Sequence, residues 1–278
     1  KTTTTCPSSC SVSSLLPFYR EVENIQRLAS NQVDDRAGRL SIATTHTQAR
    51  YVLPDVISRF RERYPNVTLD LHQGTSEQIA EMVSGRKIDF AIATGSRHLF
   101  SDLVLLPCYH WDRSIIVPKE HELASSEHVS IHELATFPLV TYVFSFDGHS
   151  SLRSAFEQEG LKPDVVFTAR DADVIKTYVR MGLGVGIVAA MAQECQETSG
   201  LVALDASHLF PRSTTWIGFP KDTILRNYMI DFIEIFAPHL EPRITKEAAL
   251  AADQQSIDAM VSDIHLPRRG KCAQIIEG

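Results

Sequence analysis

Apolar and polar residues follow two periods along the chain, one typical of strands and the other of helices. Residues Leu40–Ala43 alternate as a short strand, and apolar residues three and four positions apart predict a helix from about Ala49 to Tyr64. Val67–Leu71 alternate as a second strand, and the apolar run Ile88–Ala93 predicts a third. Before the third strand, Thr75–Gln78 has the form of a capping box that opens another helix. Strands that alternate with helices of this length predict a parallel α/β sheet.

A second unit with the same alternation follows. Strands are predicted at Ser114–Val117, Leu139–Tyr142, Val165–Thr168 and Val185–Val188, and helices at Ile131–Ala135, Ser150–Glu159 and Val174–Met181. Asp171 or Asp173 is the expected N-cap of the last of these helices.

Later residues are predicted to return to the first unit. Thr215–Phe219 has the pattern of a strand, and Leu225–Phe236 has the pattern of an amphipathic helix. Crossings between the units are expected near Pro107–Trp111 and near Arg212–Thr214. The predicted fold class is therefore α/β, with two Rossmann-like lobes joined by a hinge. Lobe one covers about 38–108 and 214–242, and lobe two covers about 111–212.

The two ends of the chain differ from the middle in composition. Residues 1–14 are rich in Ser and Thr and are predicted to be disordered, and residues 15–37 are predicted to be a linker helix. Residues 243–278 are predicted to hold a helix followed by a basic tail, Arg268–Lys271.

Composition and charge exclude several classes of protein. The 278 residues are 44% hydrophobic, and the formal net charge of −7 argues against a domain that grips DNA by itself, because phosphate neutralisation supplies much of that affinity. No apolar run approaches the ~20 residues that span a bilayer, and the first residues lack the apolar core of a signal peptide. The five scattered cysteines fit a reducing compartment. A cytoplasmic protein without membrane contact is the expectation.

A run of hydroxyl and amide side chains lies where the first strand ends and the first helix begins. Thr45, Thr47 and Gln48 can donate hydrogen bonds without a fixed positive charge, next to the unpaired N–H groups of a helix start. Thr94 follows the third strand, at the carboxyl edge where open α/β sheets bind ligands. These residues predict a site for a small anion. The ordinary alternative is a helix cap with loop polarity.

Three residues near this site have open roles. His46 is expected to be a packed loop histidine rather than a ligand donor. Tyr109 and Trp111 lie beside the first crossing, and they are expected either to wall the cleft or to belong to the core.

No residue set predicts catalysis or metal binding. Cys108 and His110 share one face of a predicted strand, but no third group is placed to orient them. Cys6 and Cys10 are not accompanied by a second pair with metal-ligand spacing. Catalytic residues, metals and cofactors are therefore not expected.

Several motifs together resemble one protein family. ATTHTQARY (residues 43–51) and DADVIKTYV (residues 171–179) are long and specific, and DFAIAT, LLPCYHW, PLVTY and FAPHL accompany them. From about Tyr19 to Leu266, the chain resembles the CysB-type branch of the LysR-type transcriptional regulators. The resemblance implies a two-lobed effector-binding fold, shared with type 2 periplasmic solute-binding proteins, that performs no chemistry. It also implies self-association as a dimer or tetramer.

The resemblance further implies a ligand and a role. In that branch the cleft responds to acetylserines and sulfate-like oxyanions, and the regulator controls genes of cysteine biosynthesis or of sulfonate-sulfur use. The family's oxyanion donors match here at Thr45, Thr47, Gln48 and Thr94. An alternative on the same fold is a solute-binding protein for a small anion in a transport system.

Two departures from the family pattern change these expectations. The family's winged helix-turn-helix does not precede the linker helix, so DNA contact is expected only through a domain missing from this chain. Asp147 stands where the family has a threonine in the second lobe. An ionised carboxylate donates no hydrogen bond and repels an anion at about 4 Å by roughly 4 kcal/mol, so an amino-acid-like effector with its amine toward Asp147 is expected. If Asp147 turns to solvent or caps the next helix, sulfate still binds.

Overall fold

Two β-sheets, each covered by helices, form the two lobes of the computed structural model, which describes residues 36–85, 87–94, 97–145, 150–193, 200–270 and 275–276. The predicted disordered segment 1–14, nearly all of the predicted linker helix 15–37 and Asp147 lie outside the described residues. The predicted α/β fold with two lobes is confirmed.

The strands and helices follow the predicted order, with differences at their ends. The strands are β1 (Ala37–Thr44), β2 (Asn66–Gln73), β3 (Phe90–Thr94), β4 (Leu103–Trp111), β5 (Arg113–Pro118), β6 (Pro138–Tyr142), β7 (Asp164–Ala169), β8 (Val185–Ala189), β9 (Leu201–Asp205), β10 (Ser213–Pro220), β11 (Arg268–Arg269) and β12 (Ile275–Ile276). The helices are α1 (His46–Tyr51), α2 (Leu53–Arg63), α3 (Ser76–Ser84), α4 (Ile131–Leu134), α5 (Ser151–Gln158), α6 (Ala172–Arg180), α7 (Asn227–Phe236), α8 (Pro242–Ala249) and α9 (Gln254–Met260). The sequence pattern does not predict β9, β11 or β12.

The sheet of lobe one has the strand order β12-β11-β4-β10-β3-β1-β2. β1 pairs in parallel with β2 and β3, whereas β10 runs antiparallel to both β3 and β4. Residues Leu40–Thr44 of β1 are all buried, as expected for an inner strand covered on both faces. Because Thr44 pairs with Ile92, the carboxyl ends of β1 and β3 lie at one edge of the sheet, where the candidate site was expected.

The single helix predicted over Ala49–Tyr64 is two helices. α1 begins at His46, three residues earlier than predicted, and α2 begins at Leu53 with Pro54 in its first turn. Proline has no N–H to donate and is disfavoured inside a helix, so it separates the two segments. The break places α1 by itself against the end of β1, with Thr45 at its N-cap.

α7 closes lobe one by packing against α2. Phe232 of α7 meets Phe60 of α2 edge to face, with ring centroids 5.4 Å apart, and Tyr64 donates a hydrogen bond of 2.5 Å to Asp231. The apolar residues of α7 are therefore buried within the chain. An amphipathic pattern does not tell an internal partner from an external one, and the apolar face of α7 has an internal partner.

Lobe two has the strand order β7-β6-β8-β5-β9, with β5 antiparallel to both β8 and β9. Asp171 is the N-cap of α6, and its carboxylate accepts a hydrogen bond of 2.8 Å from the N–H of Val174. α6 lies so close to the sheet that a Cβ on Gly186 would come within 2.4 Å of Ile116 and 2.8 Å of Val179. Because Val179 lies in the last turn of α6, this contact packs the far end of the helix on the sheet, whereas the start of the helix lies toward lobe one.

The two lobes are joined where the chain crosses twice. β4 ends at Trp111 and β5 begins at Arg113, so the first crossing is Asp112, at the end of the predicted range. The second crossing precedes β10, which begins at Ser213. Asp112 is buried and accepts a hydrogen bond of 3.4 Å from Arg212 Nε, so the two crossings contact each other.

The residues after Pro242 form part of lobe one. α9 lies beside β4, and the side chain of Gln254 bonds both main-chain groups of Leu105, accepting at 3.0 Å and donating at 2.9 Å. The basic tail forms β11, which pairs in parallel with the end of β4. The sequence pattern predicts one helix here, whereas the structure has two helices and two short strands.

A half-buried histidine makes the stability of lobe one depend on pH. His239 Nε2 donates a hydrogen bond of 2.9 Å to the carbonyl of Pro107, and burial lowers the pKa of the imidazole below its usual 6.5 although that hydrogen bond opposes the shift. Because the unfolded chain takes up the proton more readily, this contribution is complete above pH 6.5 and is lost as pH falls through the folded-state pKa. The free energy of unfolding of His239→Gln, which keeps an N–H donor, should fall less between about pH 7 and about pH 5 than that of the parent. Denaturant titrations measure it. His72→Gln, at an exposed position of β2, is the control. If the free energy of unfolding of His239→Gln depends on pH as that of the parent does, the assignment is wrong.

Candidate functional site

A cleft of about 210 Å³ lies between the two lobes. His46, Thr47, Arg50, Tyr51 and Gln73 line it from lobe one, and Asp171, Ala172 and Asp173 line it from lobe two. His46 was expected to be a packed loop residue, but its half-buried side chain lies on the cleft wall, so that expectation is wrong.

Three residues on neighbouring strands form a row beneath α1. The strand register pairs Thr215 of β10 with Thr94 of β3 on one side and with Tyr109 of β4 on the other. Residues directly opposite each other in antiparallel strands point to the same face of a sheet. Thr94, Thr215 and Tyr109 therefore share one face, and the buried Gln48 of α1 lies on it. The sequence analysis did not identify Thr215.

Hydrogen bonds join the side chains of this row to Gln48 and to each other. Tyr109 donates to Gln48 Oε1, so the amide nitrogen Nε2 of Gln48 is turned to Thr215 Oγ1, to which it donates at 3.2 Å. The Oγ1 atoms of Thr215 and Thr94 are 3.1 Å apart. Either hydroxyl can donate in this pair; where Thr215 donates, the half-buried Thr94 keeps a hydroxyl hydrogen for a ligand. The structure thus brings together Gln48 and Thr94 of the predicted site.

The other two predicted threonines lie at the start of α1. Thr45 is the N-cap residue, but its side chain makes no capping hydrogen bond, so capping does not account for its hydroxyl. Thr47 lines the cleft from the first turn of α1. Ligand binding by these residues, and by Asp147, stays a prediction.

Four charged or phenolic side chains join the lobes at the cleft; we call Arg50, Tyr51, Asp173 and Lys176 the interlobe cluster. The Tyr51 hydroxyl donates to Asp173 at 2.5 Å, and Lys176 Nζ lies 2.7 Å from the Tyr51 oxygen and 3.1 Å from Asp173. Arg50 Nε is 2.7 Å from the other oxygen of Asp173. Lys176 is 2% exposed, so its charge is held inside the protein by these contacts.

The pKa values in the interlobe cluster follow from these contacts. Burial acts to raise the pKa of Asp173, but hydrogen bonds from Tyr51 and Lys176 and the charges of Lys176 and Arg50 outweigh it, so the pKa of Asp173 is lowered. Burial, together with Asp173, raises the pKa of Tyr51. The carboxylate and the neutral phenol are therefore the stable forms around neutral pH.

Tyr109 and Trp111 do not line the cleft. Both belong to the apolar core of lobe one, where Tyr109 is 1% and Trp111 is 5% exposed. Of the two alternatives left open for them, the core position is the one that the structure has. Tyr109 contributes from behind, through its hydrogen bond to Gln48.

Cys108 and His110 have separate surroundings. The Cys108 thiol is buried and lies 3.5 Å from the carbonyl of Leu106, and burial raises its pKa well above the usual range. A thiolate is the nucleophilic form, so this environment makes the thiol inert. His110 Nδ1 lies 3.0 Å from Thr214 Oγ1.

The described residues contain neither a metal-ligand group nor a membrane-spanning helix. No three His, Cys, Asp or Glu side chains within those ranges form a group that could hold a metal ion. No helix in the same part of the chain has the length and apolar character to cross a membrane. Cys6 and Cys10 lie outside the described residues.

The residues missed by sequence reasoning all depend on long-range contacts. Tyr51 and Arg50 end the first long motif, and Asp173 and Lys176 belong to the second, so the two specific motifs meet across the cleft. Their joint presence was the available signal. Thr215 lies outside both motifs, and only the strand register reveals it.

Comparisons with known proteins agree with this geometry. A family model described as the LysR substrate binding domain matches residues 34–241. The HTH-type transcriptional regulator CysB of Haemophilus influenzae is 48% identical over 246 residues, which cover 88% of this chain and 76% of that protein. The HTH-type transcriptional regulator SsuR of Burkholderia cenocepacia is 48% identical over 220 residues, or 79% and 71% of the two chains. A crystal structure of the cofactor-binding domain of the Cbl transcriptional regulator matches with a TM-score of 0.73 and 40% identity, covering 78% of this chain and 96% of that one.

These findings confirm the resemblance drawn from the motifs. The relatives are transcriptional regulators, a non-enzymatic family whose effector-binding domains bind small molecules and self-associate, and they give no support to the transport alternative. The chain belongs to the LysR family of transcriptional regulators and is an effector-binding domain of the CysB and Cbl type.

Proposed function

We propose that the cleft binds a small effector of the acetylserine or sulfate type through Thr45, Thr47, Gln48 and Thr94. The observation that carries the proposal is the row Tyr109–Gln48–Thr215–Thr94, which is joined by hydrogen bonds beneath α1, the helix whose His46, Thr47, Arg50 and Tyr51 line the cleft. Neutral donors suit an anion that is already fully ionised, because they need no proton exchange.

The charges around the cleft favour a zwitterion over a dianion. Arg50 and Lys176 bring two positive charges, and Asp171 and Asp173 bring two negative ones. A doubly charged sulfate gains little from such a balanced set, whereas an amino acid can place its carboxylate near the donors and its ammonium near a carboxylate. We therefore propose an amino-acid-like effector. The predicted role of Asp147 points the same way from the sequence.

The effector acts in this proposal by changing the lobe arrangement. A ligand shifts a conformational equilibrium only by binding one state more tightly, and a cleft lined from both lobes gives such a difference. The shift would move helix-turn-helix domains of the kind after which the relatives are named. The relatives CysB, SsuR and Cbl support a regulator of sulfur assimilation or cysteine biosynthesis genes in the cytoplasm.

Calorimetry with O-acetyl-L-serine and with sulfate tests the proposal. The parent should bind O-acetyl-L-serine more tightly than sulfate, and Thr94→Val should weaken binding by about tenfold or more, because a hydrogen bond to a charged group is lost. Thr168→Val, at an exposed position of β7, is the control and should bind as the parent does. Absence of binding, or equal affinity of Thr94→Val and the parent, would show that the proposed site is wrong.

Self-association as a dimer or tetramer is part of the proposal. Lobe two exposes apolar side chains on β7 and around α6, namely Val166, Val174, Met181 and Leu183, which are 38% to 74% exposed. Val174 and Met181 are seven positions, about two helical turns, apart, and an exposed apolar strip of this kind is typical of a protein interface. We propose this face of lobe two for pairing with a second copy.

A further inference from the structure

The residues after the family-matched domain include a strand that lies against both the hinge and the effector site. The family model ends at residue 241, yet β11 adds to the sheet of lobe one beside β4. The N–H of His110 donates a hydrogen bond of 2.9 Å to the carbonyl of Pro267, and Arg268 and Arg269 pair with His110 and Trp111. β11 is therefore aligned with the last residues before the lobe crossing.

Arg268 reaches the first crossing itself. Its Nε atom donates a hydrogen bond of 2.5 Å to one oxygen of the buried Asp112, whose other oxygen accepts from Arg212 at 3.4 Å. The main-chain carbonyl of Asp112 also accepts a hydrogen bond of 2.9 Å from the N–H of Ala190, the residue after β8. One carboxylate thus joins the two crossings to the C-terminal segment. A buried carboxylate that loses a hydrogen-bonding partner is strongly disfavoured, so these contacts restrict the hinge.

Arg269 reaches the effector site through one intermediate. Its buried guanidinium lies 4.7 Å from the centroid of the Tyr109 ring, and Phe236 packs on the same ring with centroids 5.8 Å apart. A desolvated cation against an aromatic face is an attractive contact that orients the ring. The hydroxyl of that ring donates to Gln48. The position of Gln48 therefore depends on where Arg269 holds Tyr109.

We propose that Pro267–Arg269 is a strap that positions the effector site, with Arg268 holding the lobe crossing through Asp112 and Arg269 holding Gln48 through Tyr109. Both arginines are positioning residues, since neither lines the cleft. By thermodynamic linkage, a change that stabilises the effector site also stabilises the contacts of the strap, and the reverse holds as well. The proposal rests on the proposed function in taking Gln48 as part of the effector site, and its test is made without ligand.

Hydrogen exchange of the ligand-free chain tests the strap. In Arg269→Leu, the amides of α1 should exchange about tenfold faster than in the parent. In Arg268→Gln, the amides of residues 111–113 should exchange about tenfold faster than in the parent. Arg269→Lys, which keeps a cation near the ring, should restore part of the protection of α1. Arg243→Gln is the matched control, because Arg243 lies in the same C-terminal region but pairs only with Glu247 on the surface.

A double variant separates positioning from general loosening. In a Tyr109→Phe background, the hydroxyl that donates to Gln48 is absent. Arg269→Leu should therefore accelerate amide exchange in α1 far less in this background than it does in the parent. An equal, additive increase in both backgrounds would overturn the route through Tyr109. Unchanged exchange in both single variants would overturn the strap altogether, and if Arg269→Leu does not fold, Arg268→Gln and Arg269→Lys still decide.

The ligand experiment remains separate. If the parent binds neither O-acetyl-L-serine nor sulfate while the exchange results hold, the proposed function fails and the strap stands. If the parent binds O-acetyl-L-serine and the exchange results fail, the strap is wrong and the proposed function stands.

Discussion

Replacing Thr215 with valine is expected to lower the free energy of unfolding by about 1–3 kcal/mol and to weaken effector binding by about tenfold or more. Valine has nearly the same shape, so the loss comes from the hydroxyl alone. Without it, the buried amide nitrogen of Gln48 has lost its acceptor, and Thr94 has lost its hydroxyl partner in the row.

Urea unfolding and calorimetry with O-acetyl-L-serine measure the two effects of Thr215→Val. Thr68→Val is the matched control, because Thr68 is exposed on β2 and the same chemical change there should leave both quantities close to those of the parent. Similar unfolding midpoints for Thr215→Val and Thr68→Val would mean that the row of hydrogen bonds contributes little.

Replacing Asp173 with alanine is expected to shift the lobes toward an open arrangement. The carboxylate accepts hydrogen bonds from Tyr51 and Lys176 and pairs with Arg50, and its loss leaves the buried Lys176 without its anionic partner. Removing one partner of a buried ion pair costs about 3–5 kcal/mol. Since the side chain of Asp173 is 41% exposed, solvent screening reduces the expected effect to about 1–3 kcal/mol.

Small-angle X-ray scattering of the ligand-free chain should show a larger radius of gyration for Asp173→Ala than for the parent. Asp164→Ala, at an exposed position of β7 in the same lobe, should leave the radius unchanged. An unchanged radius for Asp173→Ala would mean that the interlobe cluster does not hold the lobes together.

The same cluster should be insensitive to pH around neutrality. The pKa of Asp173 is lowered, so its contribution is present above the unfolded value of 3.8 and is lost as pH falls through the folded-state pKa. The pKa of Tyr51 is raised, so its contribution is present below the unfolded value of 10.0 and is lost only as pH rises through the folded-state pKa. The radius of the parent should therefore stay constant between about pH 5 and about pH 9.

Local patterns in the sequence were sufficient for most elements. The three-and-four spacing of α2, the capping box of α3 and the Asp171 cap of α6 are each formed by residues within a few positions of one another. Their physical causes are equally local, which is why the sequence predicts them well. β11 was missed because it has only two residues and pairs with the distant β4. β9 has five residues, as β3 and β8 do, but its residues were not assigned to a strand.

The candidate site was predicted only in part. Thr47 and Gln48 follow a strand end, which the hydrophobic pattern identifies, and Thr94 follows another. Nothing local distinguishes Thr215 from other strand threonines. Its role depends on the register of β10 against two neighbours, including the irregularity between Thr215 and Trp216 in its pairing with β4.

The sequence by itself determined the α/β class, the two lobes, the family and the edge of the sheet where ligand donors collect. Only the tertiary structure decided which partners those donors have, that Tyr109 supports Gln48 from the core, that α7 turns its apolar face inward, and that Arg268 reaches Asp112 across 156 positions. The reason is physical. A periodic pattern specifies which face of an element is buried, whereas the partner of that face follows from register, packing and charge pairing summed over the whole chain.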